Sequence, residues 1–353
     1  MRQPKRAASA FLSLAVLTAA IALPLWAIEK GRPSLPTAST PVSPTTVATT
    51  TATVPKTSPS TALSDRVIAV SAEPVIEQQP ALLDAATIPK QKDGGGTVIE
   101  DICGGGTAIG QQVSIKNISH RSYDWASLLK GKTVQFTDTT EPQVLILHTH
   151  TTESYMTYYA GYYNADDVAR SKNPATNVCA VGEVLANRLR AAGIGVIHDT
   201  TLYDSPEYTG AYGRAEVSIQ KFTKKYPSLK LILDLHRDAV LRDSVTRIKP
   251  TVTVDGQKAA QVMLVLGAND TDGNPNPTWK NNVRLGFQLT AALQKQEELL
   301  CRPVNLTETN YNQNLLPNGA MLLVEIGTDV NTFSEAMVSA TLIGDALVDI
   351  MRA

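Results

Sequence analysis

Three apolar runs in this chain each end in residues that can bind a metal or move a proton. Val144-Leu145-Ile146-Leu147 leads into His148-Thr149-His150-Thr151-Thr152-Glu153. Leu231-Ile232-Leu233-Asp234-Leu235 ends in His236-Arg237-Asp238, and Met321-Leu322-Leu323-Val324 ends in Glu325. The chain has five histidines, and three of them fall at these strand ends. Hydrophobic strands that deliver such side chains at their C-terminal ends describe an α/β active site.

His150 and Glu153 stand three apart just after a strand. In a turn or a first helical turn, positions i and i+3 share a face, so both side chains can reach one ion. Two imidazole nitrogens and one carboxylate leave a tetrahedral position open for water, the composition of a catalytic zinc site rather than a closed one. His236, also just past a strand, is the natural distant ligand. His148 precedes His150 by two residues; on a continuing strand it would point to the same side, either replacing His150 as ligand or orienting it. Glu325 closes an apolar strand, where a carboxylate is costly without compensation. Beside activated water it would be a general base; otherwise it is a core-edge residue paired with an arginine. Arg237 is the available partner, and it could equally bind a substrate carboxylate or an oxyanion. Asp238 would position Arg237 or a ligand histidine. His198 ends a strand without a matching carboxylate and reads as structural, and His120 is given no role. The set describes a zinc hydrolase.

The elements that must position these residues alternate. Strand 143–147 precedes a helix over 177–192, with Val178, Val181, Val184, Leu185 and Leu189 at helical spacing. Gly193-Ile194-Gly195 caps that helix and opens strand 196–198. A helix over 211–225 and strand 230–235 follow. Asp255-Gly256 between 251–254 and 260–266 signals a hairpin. Helix 281–299, strand 321–326 and helix 332–351 complete the chain, while 113–117 and 132–136 read as short peripheral strands around 124–129. This order predicts a three-layer αβα domain with a mixed central sheet.

Net charge is −1, which gives no basic footprint for nucleic acid. Cys103, Cys179 and Cys301 are too few and too scattered for a disulfide framework or a cysteine zinc knuckle. Arg2, Lys5 and Arg6 precede an uncharged apolar segment over 7–28. That segment is long enough to span a bilayer, with the rest of the chain outside; a cleaved signal peptide is the rival and exports the chain equally. The expected organisation is an anchor over 1–30, a Pro/Thr/Ser-rich tether over 31–95 that cannot bury a core, and a catalytic domain over 96–353.

In residue detail the chain resembles the stage II sporulation protein P family. The resemblance rests on Ile146-Leu147-His148-Thr149-His150-Thr151-Thr152-Glu153-Ser154-Tyr155, on Asn177-Val178 with Val181-Gly182, and on Asp234-Leu235-His236-Arg237-Asp238-Ala239. It continues in Gln313-Asn314-Leu315-Leu316-Pro317, Glu325-Ile326-Gly327, Asn331-Thr332 and Glu335-Ala336. Each motif alone is weak, but the ordered set over 112–353 is specific. The resemblance implies a fold similar to zinc-dependent N-acetylmuramoyl-L-alanine amidases. It also implies cleavage of the muramoyl–alanine amide of peptidoglycan stem peptides, some endopeptidase action on cross-links, and engulfment during sporulation as the setting. A lytic transglycosylase of the stage II sporulation protein D type is the implied partner. It carries over to His236 and Glu325, to His150, and to Glu153 or His148; in the related amidases the glutamate ligand opens the helix after the first strand, where Asn177 or Glu183 stands here. Two other readings remain: a metallocarboxypeptidase-like hydrolase, from the His150-x-x-Glu153 spacing, and a non-catalytic wall-binding scaffold.

Overall fold

A computed structural model describes residues 87–353, apart from 132, 133, 138 and 271–274. The expected anchor and nearly all of the tether lie outside the described residues. Among those described, no helix is long and apolar enough to cross a membrane.

In chain order the strands and helices begin with β1 (Gly96–Asp101), β2 (Thr107–Ala108), β3 (Ser114–Asn117), β4 (Pro142–Leu147) and β5 (Tyr162–Tyr163). Next come α1 (Val178–Ala191), β6 (Gly195–His198), α2 (Ala211–Lys225), β7 (Leu231–Asp238), β8 (Thr246–Val254), β9 (Gln257–Ala260) and β10 (Val262–Gly267). The chain closes with α3 (Trp279–Gln296), β11 (Val304–Thr307), β12 (Ala320–Thr328) and α4 (Phe333–Arg352).

Eight strands form the central sheet in the order β2-β3-β11-β10-β12-β7-β4-β6. It is mixed: β12, β7, β4 and β6 run parallel, and β10 lies antiparallel to β12. Side chains alternate across each strand, so both faces are apolar. Leu145, Leu147, Ile232 and Met321 pack with Ala215 and Ile219 of α2. Val144, Ile146, Leu233, Leu235 and Val324 pack on the opposite side with residues of α1, α3 and α4. These are the three layers read from the sequence. The helix starts are capped by local chemistry: Asn177 accepts from the Cys179 N–H, and Thr332 with Glu335 forms a reciprocal capping box.

Two sequence expectations change. The run 260–266 is not the second arm of the hairpin. Asp255 and Gly256, both at positive φ, turn β8 into the short β9, and Val262–Gly267 leaves for the central sheet. Buried Gln261 makes the break: its N–H donates to Pro250 O, and its side chain bonds Leu299 O and the Cys103 N–H. Residues 134–136, expected in a strand, have no regular structure.

A second, four-stranded sheet, β5-β1-β8-β9, was not anticipated. Lys249 of β8 is its deepest charge, 1 % exposed, bonded to Glu335 at the start of α4 (2.5 Å) and close to Glu100 of β1 (3.1 Å). Removing either carboxylate would leave a buried ammonium short of a partner, the costly kind of loss.

Candidate active site

The C-terminal ends of β4, β7 and β12 meet on the α2 face of the central sheet. β7 and β12 run parallel with His236 opposite Glu325. Parallel neighbours in register point the same way, so both side chains leave on that face, as does Asp234 two residues earlier. Past Glu325 the register shifts, and Gly327 takes φ +64. A Cβ there would also lie 2.8 Å from the Ala260 Cβ, so glycine is required by both conformation and space.

β4 stops at Leu147, and residues 149–152 form a turn after which Glu153 N–H donates to His150 O. The alternation of a strand is lost there, and the two histidines separate. His150 goes to the α2 face, where its ring lies edge-on to His236 with centroids 5.3 Å apart. Glu153 Oε2 comes within 3.3 Å of His236 Nδ1 and accepts from the Arg237 N–H at 3.1 Å. His148 goes to the α1 side: its Nδ1 is 3.1 Å from Leu235 O and its Nε2 2.9 Å from His198 Nε2. His198 in turn meets Glu183 of α1 at 2.7 Å.

The structure therefore brings together His150, Glu153, His236 and Glu325, and does not bring His148 to them. Arg237, one residue after His236, leaves on the opposite face of β7, with its Nε donating to Ser154 O at 3.2 Å. Asp238 holds Arg302 at 2.8 Å rather than Arg237.

Charge is distributed unevenly over the site. Burial disfavours the charged form of Glu153, but His236, Arg237 and His150 outweigh it and hold the carboxyl well below its usual range. Burial opposes charge on His236 too, yet the carboxylates of Asp234 and Glu153 push its pKa well above the ordinary value. His150, buried and beside His236, is lowered to about 4. Burial, with Asp238 nearby, raises Glu325 to about 8. An imidazole between two carboxylates is a cation site.

Among the described residues, no three His, Cys, Asp or Glu side chains close into a ready coordination shell. The donors nevertheless suit a divalent ion. His150 Nδ1 is enclosed without a hydrogen-bond partner, as is Glu325 Oε2. His236 Nε2 lies 3.0 Å from Asp234 Oδ1, without hydrogen-bond alignment, so a carboxylate backs the ring on the side away from Glu153. A carboxylate that accepts from the second ring N–H orients a metal-binding histidine, and Asp234 stands on the side where that acceptor would be.

Residue spacing did not reveal several members of the site. Asp234 is fixed by the N–H and hydroxyl of Thr149, at 2.8 and 2.7 Å. Its signal was present: a carboxylate inside an apolar strand, two residues before His236. Tyr208 stacks on His150, Tyr212 meets the same ring edge-on, and Arg170 bonds Glu153 and Asp204. All three come from outside the strand-end motifs, and no local pattern marks them.

The site thus gathers two histidines and two glutamates, all buried or enclosed, at parallel strand ends of a three-layer α/β domain. The chain belongs to the stage II sporulation protein P family, whose model matches residues 77–348. It is 26% identical over 213 residues to stage II sporulation protein P of Bacillus subtilis (strain 168), covering 57% of this chain and 49% of that relative. The chain thus spans about half the length of the curated relative it matches. Among solved structures it is similar to an N-acetylmuramoyl-L-alanine amidase of Clostridium difficile 630, with 13% identity, a TM-score of 0.35, and coverage of 61% of this chain and 99% of that one. A second is an N-acetylmuramoyl-L-alanine amidase of Nostoc punctiforme, with 10% identity, a TM-score of 0.32, and coverage of 60% and 95%.

Proposed function

We propose that this chain is a peptidoglycan hydrolase of sporulation that cleaves the amide between the muramoyl lactyl group and the first alanine of the stem peptide. In this reading His150, Glu153 and His236 hold a zinc ion and Glu325 is the acid/base group. One observation carries it: the buried side chains of His150, Glu153 and His236 cluster on one face of the sheet, with an enclosed glutamate paired in register to the second histidine. Membership of a sporulation family supports the substrate class.

Zinc, when bound, supplies acidified water and a polarised carbonyl. The protein's own groups do the rest. Asp234 orients the His236 ring, and the Arg237 N–H orients the Glu153 carboxylate. Glu325 takes a proton from the attacking water and returns it to the departing alanine nitrogen. Its raised pKa makes it an acid at neutral pH in the metal-free protein, and a neighbouring cation favours the carboxylate that the first step needs. Cleavage of cross-links, attachment to the membrane through 1–30, and action alongside a lytic transglycosylase belong to the same proposal, supported by the sequence pattern and the family.

The test is mass spectrometry of what the purified protein releases from peptidoglycan, with and without chelator. Intact stem peptides with a free N-terminal alanine, released only without chelator, are the expected products. Single terminal amino acids would instead identify a carboxypeptidase. Stoichiometric zinc with no product from intact or glycan-cleaved wall would identify a binding protein.

A further inference from the structure

We infer that Tyr208 and Arg170 act as one clamp that fixes the ring of His150 and the carboxylate of Glu153 as a pair, making both positioning residues for the metal site. The inference rests on the proposal that His150 and Glu153 are ligands.

Tyr208 lies in the loop before α2 and is 55% exposed, yet its ring is held flat on His150, with centroids 4.4 Å apart and planes 12° from parallel. Its hydroxyl sits 3.0 Å from His150 Nε2. On Tyr208 also rests the guanidinium of Arg170, 4.8 Å from the ring centroid. The same guanidinium reaches Glu153 Oε1 at 3.3 Å, Asp204 Oδ2 at 2.8 Å and Thr152 Oγ1 at 3.4 Å. Asp204 is itself tied to the turn by Thr152, whose hydroxyl donates to it at 2.6 Å. The stack His150–Tyr208–Arg170 therefore returns through Arg170 to Glu153, three residues from where it began.

Each contact takes one atom and turns the other toward the proposed ion, although Glu153 Oε2 also accepts from the Arg237 N–H. Glu153 Oε1 is taken by Arg170, so Oε2 is the oxygen turned to His236. His150 Nε2 is taken by Tyr208, while Nδ1 is buried with no partner. A buried N–H without an acceptor costs its full desolvation. The form that avoids this carries its proton on Nε2, the nitrogen against the Tyr208 oxygen, and keeps a bare lone pair on Nδ1. Partners of this kind, behind the ligands, typically change metal affinity by about 10–100-fold.

Zinc affinity, read by competition with a chelator of known strength, tests the clamp in the full-length chain. Tyr208→Phe keeps the stack and loses only the hydroxyl; it should weaken zinc about tenfold. Tyr208→Ala and Arg170→Met each remove the stack and should weaken it further, but together by clearly less than the product of the single effects, because each acts through the other. Unchanged affinity in Tyr208→Phe and Tyr208→Ala, or full multiplicativity in the double variant, would overturn the clamp. Imidazole 15N shifts of metal-free protein at neutral pH give a readout without zinc. His150 should be a single Nε2–H form in the wild type and a mixture of tautomers in Tyr208→Phe; identical spectra would overturn the inference. Wild-type protein that binds no zinc would instead sink the metal reading, and the 15N spectra would still decide for or against the clamp.

Discussion

Two histidine pairs lie back to back across the end of the same sheet, and they differ in what their nitrogens touch. On the α1 side, His148 and His198 face each other and close a chain from Leu235 O to Glu183. Every ring nitrogen there has a neighbour at hydrogen-bond distance. A carbonyl and a carboxylate only accept, so both Nδ1 atoms are placed to donate, and the two Nε2 atoms face each other. Burial and the neighbouring His198 push His148 down to about 3. On the α2 side, His150 keeps a buried nitrogen with no partner and His236 stands between two carboxylates. The first pair is complete as it stands, and the second has lone pairs to give. Burial and residue type are the same in both; unfilled donor capacity is what separates structure from chemistry.

The largest effect that could break this contrast is on metal content. His236→Ala should leave purified protein with little zinc and reduce activity on the order of a thousandfold. His198→Ala should keep its zinc, at a cost in stability. Equal losses in the two variants would show that both pairs serve the ion. Glu325→Gln should retain zinc and lower kcat on the order of 10²–10⁴-fold. Because Glu325 Oε2 has no partner, that variant should melt no lower than the wild type; a lower melting temperature would assign Glu325 to the core.

Gly182→Ala sharpens the comparison from the other side. A Cβ there would lie 2.6 Å from His148 Cε1 and 2.8 Å from His198 Nε2. The expected cost is about 1–3 kcal/mol in chemical denaturation, with zinc affinity unchanged. Loss of zinc would mean that strain on the closed pair reaches the open one. The smallest effect is a proton count. In metal-free protein at pH 7, His236, with its raised pKa, and Glu325, at about 8, both hold protons. Ligation strips the first and the nearby cation favours loss of the second, so zinc binding should release about two protons. The number should fall as pH rises through 8, where Glu325 is already ionised. Calorimetry in buffers of different ionisation enthalpy reads it; release that does not change between pH 7 and 9 would remove Glu325 from the neighbourhood of the ion.

Much of this was legible in the sequence, for definite reasons. The strands that carry the site are buried on both faces, so they read as continuous apolar runs, and a His or Glu at their end stands out. Helix α2, expected over about 211–225, spans Ala211–Lys225 and buries Ala211, Ala215 and Ile219. The separation of His148 from His150 was not legible, because strand alternation holds only to Leu147 and the turn that follows obeys a different geometry. Tyr208 meets His150 from 58 residues away, and Arg170 meets Glu153 from a loop with no period. The small sheet escaped because β1 and β5 are short and mix polar with apolar residues on half-exposed surfaces.

Strand β1 has one more consequence. It is the first strand of the described chain, yet it lies inside its sheet, parallel to β8 on one side and antiparallel to β5 on the other. A pull applied through the residues before Gly96 therefore loads β1 along its own axis. Its ladder with β8 runs from Thr97 to Asp101, and those bonds carry the load together instead of opening one at a time. Loaded in that way, the ladder would resist by shear.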